Sequence, residues 1–448
     1  MTIYALSSGK GRAGVAVIRL SGPKAAEVLL ELSGLESLPS SREAKLTWFR
    51  DPEDGVRLDQ GLVLYFRAPS SFTGEDVAEF HIHGGRAVVA GFLEALSKFD
   101  GVRPAEPGEF TRRAFDNGKM DLTATEGLAD LLNAETEAQR RQALRQMDGQ
   151  LGRLYEGWRK EIISAMAYME ADIDFADEEI PEDVTERVRP IVSALHVKIS
   201  EHLQDGHRGE RIRDGLQVVI LGEPNVGKSS LMNFLSRRDV AIVSDIEGTT
   251  RDVLEVHLDI RGFPVTIVDT AGLRESGDVI EAEGIRRAKT RAEDSDIRIV
   301  MIEAGQWPQP GETVASLINE DSLVLLNKCD LLSSSFSAVE MKGFKRKNIY
   351  PISIQSGIGL DHFMKGLERE VEKRMDLAEA PSLTRTRHRK ALKESQDHLQ
   401  RFLDHPGADL ELLAEDLRLS ARALGRITGV VDVEDILDVV FSEFCIGK

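Results

Sequence analysis

Residues 222–229 read Gly-Glu-Pro-Asn-Val-Gly-Lys-Ser, the full G-x-x-x-x-G-K-S spacing of a phosphate-binding loop. Backbone N–H groups in such a loop, and at the start of the helix after it, point at anionic oxygens. Lys228 adds a mobile cation for β- and γ-phosphates, and Ser229 carries a hydroxyl of the kind that ligates Mg²⁺. The context fits: residues 217–221 (Gln-Val-Val-Ile-Leu) predict a strand before the loop, and residues 230–235 (Ser-Leu-Met-Asn-Phe-Leu) a helix after it. Residues 265–269 (Val-Thr-Ile-Val-Asp) form a second apolar run that ends in a carboxylate, Asp269, followed by Thr270, Ala271 and Gly272. Asp269 is placed to hold Mg²⁺ through water, and the Gly272 amide can face a γ-phosphate unobstructed.

A third apolar run, residues 323–326, delivers Asn327, Lys328, Cys329 and Asp330. Asn-Lys-x-Asp resembles the guanine-specificity motif of the translation-factor-related GTPases, whose Asp accepts the N–H groups of the guanine edge. Ser353, Ile354 and Gln355 resemble the next base-binding motif, usually Ser-Ala-x, from which Ile354 departs. Residues 244–252 (Ser-Asp-Ile-Glu-Gly-Thr-Thr-Arg-Asp) are the candidate first switch, a loop that closes on Mg²⁺ and γ-phosphate. The GTP contacts expected from these motifs are Gly222, Asn225, Val226, Gly227, Lys228, Ser229 and Ser230 in the loop. They continue with Ser244, Asp245, Ile246, Glu247, Gly248, Thr249 and Thr250 in the switch. Asp269, Thr270, Ala271, Gly272, Asn327, Lys328, Asp330, Ser353, Ile354 and Gln355 complete them. Leu273 stands where Ras-type enzymes carry a water-orienting Gln, so the attacking water is positioned in another way or hydrolysis is slow.

The elements that must hold these motifs change texture along the chain. Residues 1–118 mix short β-type runs with glycine turns; strands are predicted at 15–20 and 61–66, with a helix over 24–32 between them. From 119 the pattern is helical: Thr123-x-x-Glu126 reads as a capping box, and Leu144, Met147, Leu151, Leu154 and Trp158 recur at helical spacing. Leu195, Ile199 and Leu203 repeat the theme, with Pro181 and Pro190 punctuating the break. Residues 212–370 carry the α/β cassette and 371–448 return to helix. At 448 residues, about three domains are expected. Hydrophobic residues at 41% and charged residues at 30% suit a soluble globular chain. Two cysteines form no disulfide framework, which fits a reducing cytosol, and no apolar run has the length of a membrane span or signal-peptide core. His81 and His83 share a strand face without further ligands, so no zinc site is expected.

The loop Asn225, the Gly-Thr-Thr-Arg-Asp and Asp-Thr-Ala-Gly-Leu-Arg strings, and the tail Phe-Cys-Ile-Gly-Lys at 444–448 together resemble the MnmE (TrmE) family of tRNA modification GTPases. Residues 11–22, 72–76, 83–85 and 107–111 are similar to that family as well, so the resemblance spans essentially the whole chain. It implies an N-terminal α+β folate-binding-like domain that dimerises, an all-α helical domain, and a Ras-like P-loop GTPase α/β domain inserted in the helical one. It also implies K⁺ activation through Asn225, Ser244, the Ile246 carbonyl and Thr249, with Mg²⁺ on Ser229 and Thr250. Glu281 matches the family's water-orienting carboxylate and joins Lys228 as a candidate catalytic residue; by the residues alone, Glu281 and Glu283 read just as well as plain surface carboxylates of a helix.

The same resemblance implies 5-formyl- or methylene-tetrahydrofolate bound by Arg19, Glu79, Lys119 and Lys448. The folate donates a carbon to the wobble uridine of tRNA, together with an FAD-dependent partner, MnmG, in a heterotetramer in the cytoplasm. Cys445 beside Lys448 is open to two readings, a thiolate nucleophile and simple packing. The net charge of −19 argues against a nucleic-acid-coating protein. A tRNA contact would need a local basic patch, with candidates at 342–347 and 385–390, or a second protein. A ribosome-assembly GTPase and a non-catalytic nucleotide or folate-binding scaffold stay open as alternatives.

Overall fold

The computed structural model describes the chain except residues 10, 175–183, 206, 239, 243–254, 270–289, 294, 333–347, 376–381, 406–408, 432–435, 438–439, 442–443, 445–446 and 448. Two compact units emerge, each assembled from separate stretches. Met1–Ala129, Arg145–His196 and Ala391–Lys448 make the first; Asp130–Leu144 and Val197–Lys390 make the second.

The first unit begins with β1 (Thr2–Leu6), β2 (Ala13–Ser21), β3 (Lys45–Arg50), β4 (Arg57–Phe66), β5 (Val77–Gly84) and β6 (Val102–Pro104). They form one sheet in the order β3-β4-β5-β2-β1-β6, antiparallel except for the β1–β6 pair. The predicted strands fall within β2 and β4, and the predicted helix is α1 (Ala25–Ser33). Helices α1 and α2 (Arg86–Ser97) pack on one sheet face with Ile18, Leu20, Ala78, Phe80 and Ile82. Phe49, Phe80 and Phe92 meet there edge-on or tilted, with ring centroids 5.2 to 5.6 Å apart. The two-residue period of a strand therefore sends Arg19, Glu79 and His81 to the opposite face. On that side, α3 (Glu109–Asp116) sets Phe110 against Ile3, Ala5 and Ala105, with Phe72 at the edge of the cluster.

Three sequence expectations for the helices are corrected. Helix α4 (Leu122–Leu132) is capped by Asp121, not Thr123. The Asp121 Oδ1 accepts from the Ala124 amide at 2.8 Å and from the Thr123 hydroxyl at 2.6 Å. Thr123 and Glu126 lie inside the helix and are fully buried. The stripe predicted from Leu144 to Trp158 is split, because α5 (Glu137–Met147) ends before Gly149, whose φ of +77° suits a glycine helix stop. The buried line of α6 (Gln150–Asp174) runs instead through Leu151, Tyr155, Trp158, Ile162, Ala165 and Met169, alternating four- and three-residue steps. Pro190 is the seventh residue of α7 (Val184–Leu203) and does not end the helix, although it has no N–H for the Glu186 carbonyl one turn back. Pro181 lies outside the described residues.

The second unit contains α8 (Arg208–Asp214), β7 (Leu216–Gly222), α9 (Lys228–Ser236), β8 (Glu255–Ile260), β9 (Phe263–Asp269), β10 (Ile297–Glu303), β11 (Leu323–Asn327), β12 (Ile349–Pro351) and α10 (Leu360–Arg374). The sheet order is β12-β11-β10-β7-β9-β8, parallel except for β8. β7, β10 and β11 are almost continuously buried because both sheet faces are covered, each by its own apolar cluster. β7 has β9 on one side and β10 on the other, so the chain reverses its direction of winding at β7. The crevice at the carboxyl ends of strands flanking such a reversal is where open α/β sheets bind ligands.

The chain ends in α11 (Thr386–Asp404) and α12 (Leu410–Thr428). In the first unit α12 packs along α6, and Leu437, Val440, Phe441 and Phe444 close over Leu122 and Ala129. The basic run at 385–390 is no open patch. Arg385 pairs with Asp130 at 2.9 Å, and Arg389 with Asp205 at 2.8 Å and Glu210 at 3.3 Å, all within the second unit. The run at 342–347 lies outside the described residues.

Candidate functional site

β7 and α9 are joined by the phosphate-type loop, and its backbone explains its residues. Gly222 has a φ of +149°, and a Cβ there would come within 2.4 Å of the Met301 carbonyl on β10. Gly227 caps α9 at a φ of +108°, where a Cβ would meet the Asn327 amide nitrogen at 2.5 Å. Asn225 adopts a left-handed φ of +61° and is exposed at the tip, a conformation Asn tolerates better than most residues. Val226 is buried and anchors the loop, while Ser229 and Ser230 are exposed on the first turn of α9. Lys228 is buried and curls back: its Nζ donates to the Gly222 and Glu223 carbonyls, each at 2.8 Å.

The base-motif residues converge on this loop from two other strands. Asn327, buried at the end of β11, donates from Nδ2 to the Val226 carbonyl at 2.8 Å and accepts at Oδ1 from the Ile354 amide at 3.3 Å. One side chain thus ties the phosphate loop to the Ser353–Ile354 turn. The Ile354 departure from Ala is accommodated because its side chain packs on the core of the unit. Lys328 takes a φ of +62° and pairs with Glu303 at 3.0 Å. Asp330 is exposed in the short turn Cys329–Leu331, and Gln355 is exposed too. Ser353 is buried and its hydroxyl accepts from the Ser356 amide at 3.2 Å. Burial and the Asp330 charge push the Cys329 thiol above its ordinary range.

Asp269 ends β9 opposite Ile220 of β7, at the same edge. Ser244, Asp245, Ile246, Glu247, Gly248, Thr249, Thr250, Thr270, Ala271, Gly272 and Glu281 lie outside the described residues. Removal of Asn327 would strand a buried carbonyl and an amide. Asn327→Ala is therefore expected to lower stability by about 2 kcal/mol and weaken binding of a non-hydrolysable GTP analogue about tenfold. Thermal unfolding and calorimetric titration check this; parental values in both would remove Asn327 from the role of tie.

A second constellation occupies the sheet of the first unit. Arg19 and Glu79 are direct cross-strand partners, and Arg19 Nε meets Glu79 Oε1 at 3.0 Å. The Arg19 guanidinium lies 5.4 Å from the Phe72 ring centre and 5.8 Å from that of Phe110. Both charged side chains are mostly buried, at 17% and 18% exposure, which strengthens their pairing relative to a surface pair. Lys119 donates from Nζ to the Pro69 carbonyl at 2.9 Å, on the same loop that carries Phe72. The neighbourhood of Phe72 and Arg19 was not foreseen in the sequence, where only the place of Phe72 in the 72–76 string marked it. Cys445 and Lys448 lie outside the described residues. His83 meets Asp59 at 2.8 Å. Among the described residues no three His, Cys, Asp or Glu side chains gather as metal ligands.

Fold and motif geometry define a P-loop GTPase that carries an N-terminal α+β sheet and flanking helices. Residues 2–119 match the family model of the GTP-binding protein TrmE N-terminus, and residues 122–445 match that of the MnmE helical domain. The tRNA modification GTPase MnmE of Parvibaculum lavamentivorans is 55% identical over 449 residues, covering 100% of both chains. The mitochondrial 5-taurinomethyluridine-[tRNA] synthase subunit GTPB3 of Danio rerio is 47% identical, covering 100% of this chain and 93% of its own. The chain belongs to the MnmE family of tRNA modification GTPases, and it is a GTP hydrolase. This full-length match favours that family over the ribosome-assembly alternative. A solved Era variant from Aquifex aeolicus aligns over 41% of this chain and 66% of its own, at 26% identity and a TM-score of 0.26. Among the described residues no helix is long and apolar enough to cross a membrane.

Proposed function

We propose that this chain is a potassium-activated GTP hydrolase of the cytoplasm that acts as a homodimer with an FAD-dependent, MnmG-type partner. Together they add an aminomethyl or carboxymethylaminomethyl group at carbon 5 of the wobble uridine of certain tRNAs, with a tetrahydrofolate one-carbon donor. The observation that carries the reading is the combination, in a chain with full-length MnmE relatives, of a GTPase loop and a separate Arg19–Glu79 pair.

In this reading GTP phosphates displace the Gly222 and Glu223 carbonyls as the partners of Lys228. Asp330, exposed beyond the Asn327 tie, accepts the guanine N–H edge. The exposed Ser229 hydroxyl suits Mg²⁺, which it would hold with Thr250. The exposed Asn225 side chain suits K⁺, which it would hold with Ser244, the Ile246 carbonyl and Thr249. The two cations supply positive charge against the negative charge that grows on the phosphates in the transition state. Glu281 orients the attacking water in place of the Gln that Leu273 lacks.

The Arg19–Glu79 pair beside Phe72 suits a pterin: the acid faces its N–H edge, while Arg19, Lys119 and Lys448 take its anionic oxygens. Domains bounded at 118, 211 and 370, with paired GTPase domains that open and close on hydrolysis, would couple the nucleotide cycle to the modification site. Deletion of the gene is expected to abolish the aminomethyl-type nucleosides at the wobble position, measured by mass spectrometry of digested tRNA, with restoration by the parent gene. An unchanged profile in a cell without a redundant enzyme would leave a GTPase acting on another target.

A further inference from the structure

Glu79 has a second basic neighbour. The alternation of β5 places His81 two residues on, on the same sheet face. His81 Nε2 lies 3.6 Å from Glu79 Oε2, beyond hydrogen-bond length, and is buried without a hydrogen-bond partner. Its cross-strand neighbours are Val17 on β2 and Leu62 on β4, which offer no polar side chain. A buried ring nitrogen left unpaired is uncommon in folded proteins and calls for an explanation. The other oxygen, Glu79 Oε1, is held by Arg19 at 3.0 Å. The carboxylate thus stands between two bases and is bonded to one of them.

We propose that His81 is the positioning residue of Glu79 in a site for a reduced pterin that bears anionic groups, an inference that rests on the folate reading above. When an anionic group of the ligand draws Arg19 away, His81 Nε2 donates to Glu79 Oε2 and keeps the carboxylate aimed at the N–H edge of the pterin. Closing that gap to a charge-assisted hydrogen bond asks for a shift of about 0.8 Å. A carboxylate has lone pairs enough to accept from the imidazole and from the ligand together. Without the imidazole, a Glu79 released by Arg19 keeps no fixed protein partner, and its aim is lost.

The test titrates 5-formyltetrahydrofolate calorimetrically into the full-length parent, His81→Leu and His81→Gln, with GTP hydrolysis and thermal midpoint as checks on folding. His81→Leu is expected to bind about tenfold more weakly, and His81→Gln, whose amide can donate, to stay within about threefold of the parent. GTP hydrolysis is expected to be unchanged in both. Parental affinity in His81→Leu overturns the assignment. Equal loss in both variants also overturns it, because ring packing rather than the nitrogen would then matter. A parent that binds no 5-formyltetrahydrofolate overturns the folate reading and this inference with it.

Discussion

Lys228→Ala is expected to lower GTP turnover about a thousandfold while the chain stays folded. Two observations set this size. The Lys228 ammonium is buried at the start of α9 and satisfied by two carbonyls of its own loop, so the positive charge is held in place before any nucleotide arrives. Its replacement removes preorganised charge from the point where negative charge develops, and water cannot restore it at the same cost in reorganisation. The structural penalty is smaller: two hydrogen bonds to carbonyls near the loop surface, each worth about 1 kcal/mol net. Single-turnover hydrolysis and thermal unfolding, measured on the same sample, separate the two effects. A variant that hydrolyses within tenfold of the parent would show that the loop amides alone stabilise the transition state, and Lys228 would lose its catalytic role.

The second large effect is expected at Glu281. Leu273 leaves the chain without a Gln to orient water, so a hydrolase of this type needs another group for that task. If Glu281 does it, Glu281→Ala should lower kcat in K⁺ about a hundredfold with little change in KM, because the carboxylate acts on water rather than on the bound nucleotide. Glu283→Ala is the control two residues away and should keep the parental rate. Hydrolysis in K⁺ as fast as the parent by Glu281→Ala would end the assignment, and a loss confined to Glu283→Ala would move it by two residues. Lys228 and Glu281 should differ in one further readout: Lys228→Ala weakens retention of a non-hydrolysable analogue, whereas Glu281→Ala does not.

Local motifs were legible because their geometry is local. The phosphate-type loop is eight contiguous residues between a strand and a helix, and its glycines stand where a Cβ would strike Met301 or Asn327. Apolar runs likewise announced β7, β9 and β11, since strands of a sheet covered on both faces read as unbroken hydrophobic stretches. Helix ends were less legible. Asp121 lies two residues before Thr123, and both are good capping types; the choice fell to Asp121 because Thr123 is buried in the helix. The break at Gly149 was hidden because apolar residues keep their helical spacing across it.

By itself, the sequence determined the class of chemistry: the loop, the Asn-Lys-x-Asp string and the order of strands and helices point to guanine-nucleotide binding, while the N-terminal strings and the tail at 444–448 carry the resemblance to the MnmE family. Only the tertiary structure decided which distant residues meet. Arg19 faces Glu79 across 60 positions, and Asn327 reaches Val226 across 101. It also turned Arg385 and Arg389 inward onto Asp130, Asp205 and Glu210, where the sequence offered them as a surface patch. The physical reason is that strand register and helix docking follow from the summed burial of whole elements. No spacing of residues within one element encodes which partner it will find.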